Sequence, residues 1–351
     1  MKKLVVVLGL LCLLCPVCRA AEYEPELDEL WRAGEAYGVE RGTELDEGLE
    51  GLVDTVLTQS KEYLCRSLQA GTKLMAVVLL CGFAQSAGLA PSAMTAVRMA
   101  GALSVTLLSV NDVESMVGLG RETVEKMDVF SAILLPAMAV LTAATGHING
   151  AAARQGITML FGRGLLSLMD GLLIPLVYAY VAACCACAAA GNDGLKKIAA
   201  MLKGVVTTVL TMTLLIFVGY LTASGAISGS ADAAAIKATK IAVSRAVPVV
   251  GSILADAAES ILVGAGIVKG TAGVVGLLVV LSICLGPFVQ LAFHYIVYKA
   301  TAALTAAVAP PQLSGLLDQI AGAFGLVLGM TGASAMLMLF SLVSALKVVT
   351  S

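Results

Sequence analysis

Only two histidines occur among the 351 residues, His147 and His294. Most nucleophile–base pairs and many zinc sites need an imidazole, so this scarcity alone removes much of enzyme chemistry. No GxxxxGK[ST] loop, no HExxH and no GxSxG pattern occurs, and each of those chemistries depends on its residues standing at that spacing. The expectation is a chain that is not an enzyme and holds no cofactor and no metal. The polar side chains that stand out are instead those embedded in apolar runs. Arg98 and Asp170 are two of them, and ionisable groups at membrane depth are costly and often functional. They either pair with each other across two helices or extend their heads to the nearest interface. Gln290 and His294 stand at i, i+4 just after Gly286-Pro287, so they share one helix face beyond a kink. Such a face lines a pore or substrate path, or makes plain hydrogen bonds between helices.

The stretch 236–270 combines charge with helix-breaking residues. Lys237 and Lys240 are one turn apart and Arg245 follows. Pro248 and Gly251 interrupt the chain, and Asp256 and Glu259 stand at i, i+3 beyond them. Bases facing acids across a turn make a salt-bridged helical hairpin. In a functional role the same unit is a gate or a docking surface. Gly322, Gly325, Gly329 and Gly332 recur at spacings of 3, 4 and 3 in the last apolar run, and Gly266, Gly270 and Gly273 precede another. Lipid offers no hydrophobic drive between helices, so small faces that let backbones approach mark packing surfaces. Cys184, Cys185 and Cys187 lie among alanines with no His or carboxylate close in sequence, and they read as small apolar fillers.

The elements that must position these residues are helices. Apolar residues make up 59% of the chain and charged residues 13%, where soluble domains run at about half and about a quarter. The fold class is therefore all-α, a polytopic transmembrane helical bundle. About seven spans fit the apolar runs, near 74–90, 92–110, 129–148, 165–190, 204–224, 271–296 and 321–346. Residues 225–270 read as an amphipathic insertion and 299–318 as a loop or surface helix. Lys2 and Lys3, the apolar run Leu4 to Cys15, Pro16 and then Ala20 and Ala21 have the layout of a secretory signal peptide over 1–21. Residues 22–72 form an acidic extracytoplasmic segment. Its stretch 22–66 holds thirteen acidic and four basic side chains, a net charge near −9. Leu27, Leu30 and Trp31, then Leu45, Leu49, Leu52, Val53 and Val56, recur at helical spacing. Thr43 and Asp46 approximate a capping box before the second run. The membrane domain is 73–351. Charge bias places the loop 111–128 outside and 146–164 inside, but it leaves Lys196, Lys197 and Lys203 on the wrong side. No basic cluster interleaved with aromatics suggests nucleic acid; the lipid bilayer is the expected surrounding.

These features together resemble the stage III sporulation protein AE family. The resemblance rests on the leader, the acidic segment, the order of spans and one stretch above all. That stretch reads Lys237-x-x-Lys240, Ser244-Arg245-x-Val247-Pro248-Val249-Val250-Gly251, Asp256-x-x-Glu259, then Lys269, Gly273 and Gly276. It implies a role in endospore formation, in the mother-cell membrane that surrounds the forespore. The implied partners are other stage III sporulation proteins of the same operon and stage II sporulation protein Q. Together they form a channel-like complex needed for forespore development after engulfment. The competing expectation is a stand-alone secondary transporter with a site near broken helices.

Overall fold

The structure, a computed structural model, describes residues 24–40, 42–88, 90–144, 160–223 and 271–350. Within them the fold is all-α, with no strand. Helix α1 spans Glu24–Ala36. Its stripe of Leu27, Leu30 and Trp31 packs against Phe130 and Val275, and Leu30 is fully buried. Gly38, at φ 77°, ends it in the left-handed region, where a side chain would be strained.

Helix α2, Leu45–Ser86, is 42 residues long, about 63 Å at 1.5 Å per residue. The expected capping box does not form. Glu44 stands at the N-cap without a side-chain bond, and the Thr43 hydroxyl donates instead to the Glu40 carbonyl at 3.0 Å. The acidic amphipathic stretch and the first expected span are thus one continuous helix through residue 72.

The largest departure is helix α3, Pro91–Ala144, 54 residues without a break. It merges the spans expected at 92–110 and 129–148 with the loop expected at 111–128. The reason is a buried stripe inside the charged stretch. Val113, Met116, Val117, Gly120, Val124 and Met127 all face inward at helical spacing. The charges occupy the other faces, where Lys126 and Glu122 pair at i, i+4.

Helix α4, Leu160–Ala190, contains a π-helical turn at Met169–Leu173. Pro175 follows, at the start of the α-helical part Ile174–Ala190. A proline cannot donate to the carbonyl four residues back and its ring crowds it, and the π turn absorbs that misfit. Gly191, at φ 64°, ends α4. The Asn192 side chain then accepts from the Gly194 N–H at 2.8 Å, capping α5, Asp193–Ala223. The lysines that seemed misplaced in a loop form the first turns of this helix. Helix α6 is Thr271–Thr305 and α7 is Pro311–Thr350. The stretch 299–318, expected as a loop or surface helix, is instead the end of α6, a short turn at 306–310 and the start of α7, and Pro311 sits at the first helical position, which needs no N–H donor.

Six of these helices, α2 to α7, are long and apolar enough to cross a membrane. They pair as three hairpins, α2–α3, α4–α5 and α6–α7. A methyl placed on Gly82 would stand 2.5 Å from the Val308 carbonyl oxygen, so the first and third turns adjoin. The Tyr180 hydroxyl donates to the Gln319 carbonyl at 2.9 Å, which places the second turn at the same end. Helix α7 is central, with 94% of its apolar window buried, whereas α5 is outermost at 17%. Met201, Val205, Met212, Leu215 and Ile216 of α5 are exposed.

Candidate functional site

Polar side chains gather in two clefts between these helices. The first lies among α2, α3 and α6 and has a volume of about 390 Å³. Helix α2 presents Arg66, Gln69 and Lys73 to it, at i, i+3 and i+7 on one face. Helix α3 adds Asn111, Asp112 and Ser115, and α6 adds Gln290 and His294.

His294 is buried. Its Nδ1 lies 3.0 Å from the Ser67 hydroxyl oxygen and 3.0 Å from the Gln290 carbonyl. Ser67 donates its own proton to the Tyr63 carbonyl at 2.8 Å. Both neighbours of Nδ1 therefore accept, so this geometry assigns a proton to Nδ1. One turn on, the Tyr298 hydroxyl donates to the Asp112 carboxylate at 2.5 Å. Phe324 of α7 closes the back of both groups, with its ring 5.9 Å from that of His294 and 4.9 Å from that of Tyr298, both edge to face. Four helices thus meet at one polar level.

The second cleft, about 330 Å³, lies between α3 and α4 and is lined by Arg121, Glu125, Asp128, Arg163, Ser167 and Asp170, with Val124, Leu166 and Ile174. Arg121 and Asp170 form a two-point ion pair, Nε to Oδ1 at 2.6 Å and Nη2 to Oδ2 at 3.2 Å. Asp170 stands in the π turn. A further pair, Lys299 with Asp318 at 2.5 Å, ties α6 to α7.

Of the residues singled out in the sequence, Gln290 and His294 come together in the first cleft. Arg98 and Asp170 do not pair. Asp170 is level with Arg121, which is 23 positions beyond Arg98 on α3, or about 35 Å along the axis. Arg98 is half-buried, and its Nε has no hydrogen-bond partner among the described residues. Gly322, Gly325, Gly329 and Gly332 are all buried on α7. A methyl on Gly322 would stand 3.1 Å from both the Tyr180 hydroxyl and the Lys203 ammonium. Lys237, Lys240, Arg245, Pro248, Gly251, Asp256, Glu259 and the leader over 1–21 lie outside the described residues. Asp112 and Arg121 were missed because they fall in the stretch read as a loop. Tyr298 was missed because a tyrosine in an apolar run reads as core. The signal for Tyr298 was its i, i+4 spacing from His294.

Comparison with known proteins places this architecture. A stage III sporulation protein AE of Bacillus subtilis (strain 168) is 21% identical over 198 residues, covering 56% of this chain and 50% of that protein. The match thus takes in about half the length of that relative. No solved structure matches the chain. Residues 41–349 match the family profile described as stage III sporulation protein AE. The chain, six of whose helices have membrane-spanning length and apolarity, belongs to the stage III sporulation protein AE family.

Proposed function

We propose that the chain is a non-enzymatic, membrane-embedded subunit of the channel-like complex linking mother cell and forespore, needed for forespore development after engulfment. The observation that carries this reading is the gathering of polar side chains into clefts between helices otherwise apolar enough for a bilayer. Family membership supports the sporulation setting. In this reading its site is the mother-cell membrane around the forespore. Its partners are other stage III sporulation proteins of the same operon and stage II sporulation protein Q. The acidic α1 and the first half of α2 face ring-forming partners, and the segment from Lys237 to Glu259 acts as a gate or docking surface. One feature favours the second reading, a stand-alone secondary transporter: α4 is interrupted by a π turn that contains Asp170.

Deletion of the gene in its own organism, scored for spore yield and forespore collapse, separates the two. A block after engulfment with normal vegetative growth is the expected result. Normal sporulation overturns the complex reading and directs attention to uptake assays.

A further inference from the structure

The cleft among α2, α3 and α6 has an excess of donors. Its lining contains two cations, Arg66 and Lys73, and one carboxylate, Asp112. That carboxylate already accepts from Tyr298. Arg66 shares its charge with Glu62, one turn away on the exposed face. Lys73 has no acidic partner among the described residues. The amides of Gln69, Asn111 and Gln290, one from each of the three helices, also line the cleft, each able to donate two hydrogens. A site with two cations, spare amide donors and a satisfied acid suits an oxyanion.

Volume and rim narrow the class. About 390 Å³ is far more than an inorganic anion fills and falls in the range of organic ligands. The α3 side of the rim is apolar: Leu107 and Leu108 line the cleft while 71% and 40% exposed. A polar floor beside exposed leucines, on helices apolar enough to cross a membrane, fits an amphiphile whose charged head enters and whose chains stay outside. Basic pockets between membrane helices take lipid headgroups in this manner. We propose that this cleft is a binding site for an organic phosphate, with Lys73 and Arg66 holding the phosphate and Leu107 and Leu108 meeting the acyl chains when the phosphate belongs to an anionic phospholipid.

The test uses the full chain purified in neutral detergent, with lipid binding followed by native mass spectrometry. The probes are phosphatidylglycerol, phosphatidylcholine with the same chains, and sn-glycerol 3-phosphate. Phosphatidylglycerol is expected to bind more tightly than phosphatidylcholine. The double variant Arg66→Gln/Lys73→Gln is expected to lower that affinity about 30-fold, at roughly fivefold per cation. Lys61→Gln, an exposed change on α2 outside the cleft, is expected to leave it unchanged. Glycerol phosphate that competes with the lipid identifies the headgroup alone as sufficient, and the free organic phosphate as a source. Failure to compete identifies the lipid as the source. Equal binding of both lipids, or an equal loss on Lys61→Gln, overturns the site, because the attraction is then hydrophobic or a diffuse surface charge. Circular dichroism of each variant verifies that the helices persist; both cleft cations are exposed, so their loss leaves packing intact.

Discussion

At the residue scale, the hydrogen bonds around α6 differ in how replaceable they are. Tyr298 is the donor that Asp112 has from another helix at this level, and Asp112 is half-buried. Tyr298→Phe keeps the ring and its edge contact with Phe324 but leaves the carboxylate short of a donor, a loss of about 1–3 kcal/mol. Ser67→Ala is expected to cost less, because His294 Nδ1 still has the Gln290 carbonyl at 3.0 Å. Thermal unfolding of the two variants in one detergent gives the order, and a larger loss for Ser67→Ala contradicts it. The Arg121–Asp170 pair is more than half exposed on each side, so its worth in water is small. Its interest is that it neutralises two charges on helices of membrane-spanning character.

At the element scale, α3 decides the topology. A helix that continues through 111–128 makes the first hairpin turn back once, where a loop there would have added one more crossing. Its continuity rests on the stripe from Val113 to Met127, which packs on the central helix around Gly120, Val327 and Thr331. Amide hydrogen exchange tests this directly. The amides of 112–128 are expected to be protected as well as those of 97–109, since both belong to one hydrogen-bonded ladder against the core. Fast exchange confined to 112–128 would restore the loop. Helix α2 makes a related point: its acidic first half is not a free appendage but lies along α6, where Leu45, Leu49 and Leu52 join the cluster around Val275 and Leu278.

At the scale of the whole molecule, the three hairpin turns share one end, and the helix ends that flank 145–159 and 224–270 lie at the other. Single cysteines at the turns, Ala87→Cys, Asn192→Cys and Ala307→Cys, in a background without native cysteines, are expected to react with an impermeant maleimide from one side of a sealed vesicle. A cysteine at Gly42, before α2, is expected to react from the opposite side. Reaction of the three turns from different sides would break the hairpin arrangement. This arrangement also moves Lys196 and Lys197 away from the acidic segment, which removes the charge conflict of the seven-span topology.

Composition and periodicity by themselves determined the all-α membrane class, the amphipathic faces of α1 and α2, and the shared face of Gln290 and His294. Those are local properties: a run of apolar residues or an i, i+4 pair has the same meaning wherever the chain goes. The merging of two spans into α3, the central place of α7 and the partners of Asp112 and Asp170 were decided only in the tertiary structure. Charges at 112–128 look like a loop when their neighbours are unknown, because the cost of placing them in a helix depends on what covers the other face. Likewise a hydropathy profile cannot separate α7, which is sheathed in protein, from α5, which is not. Both are equally averse to water, and only packing decides which of them meets lipid and which meets helix.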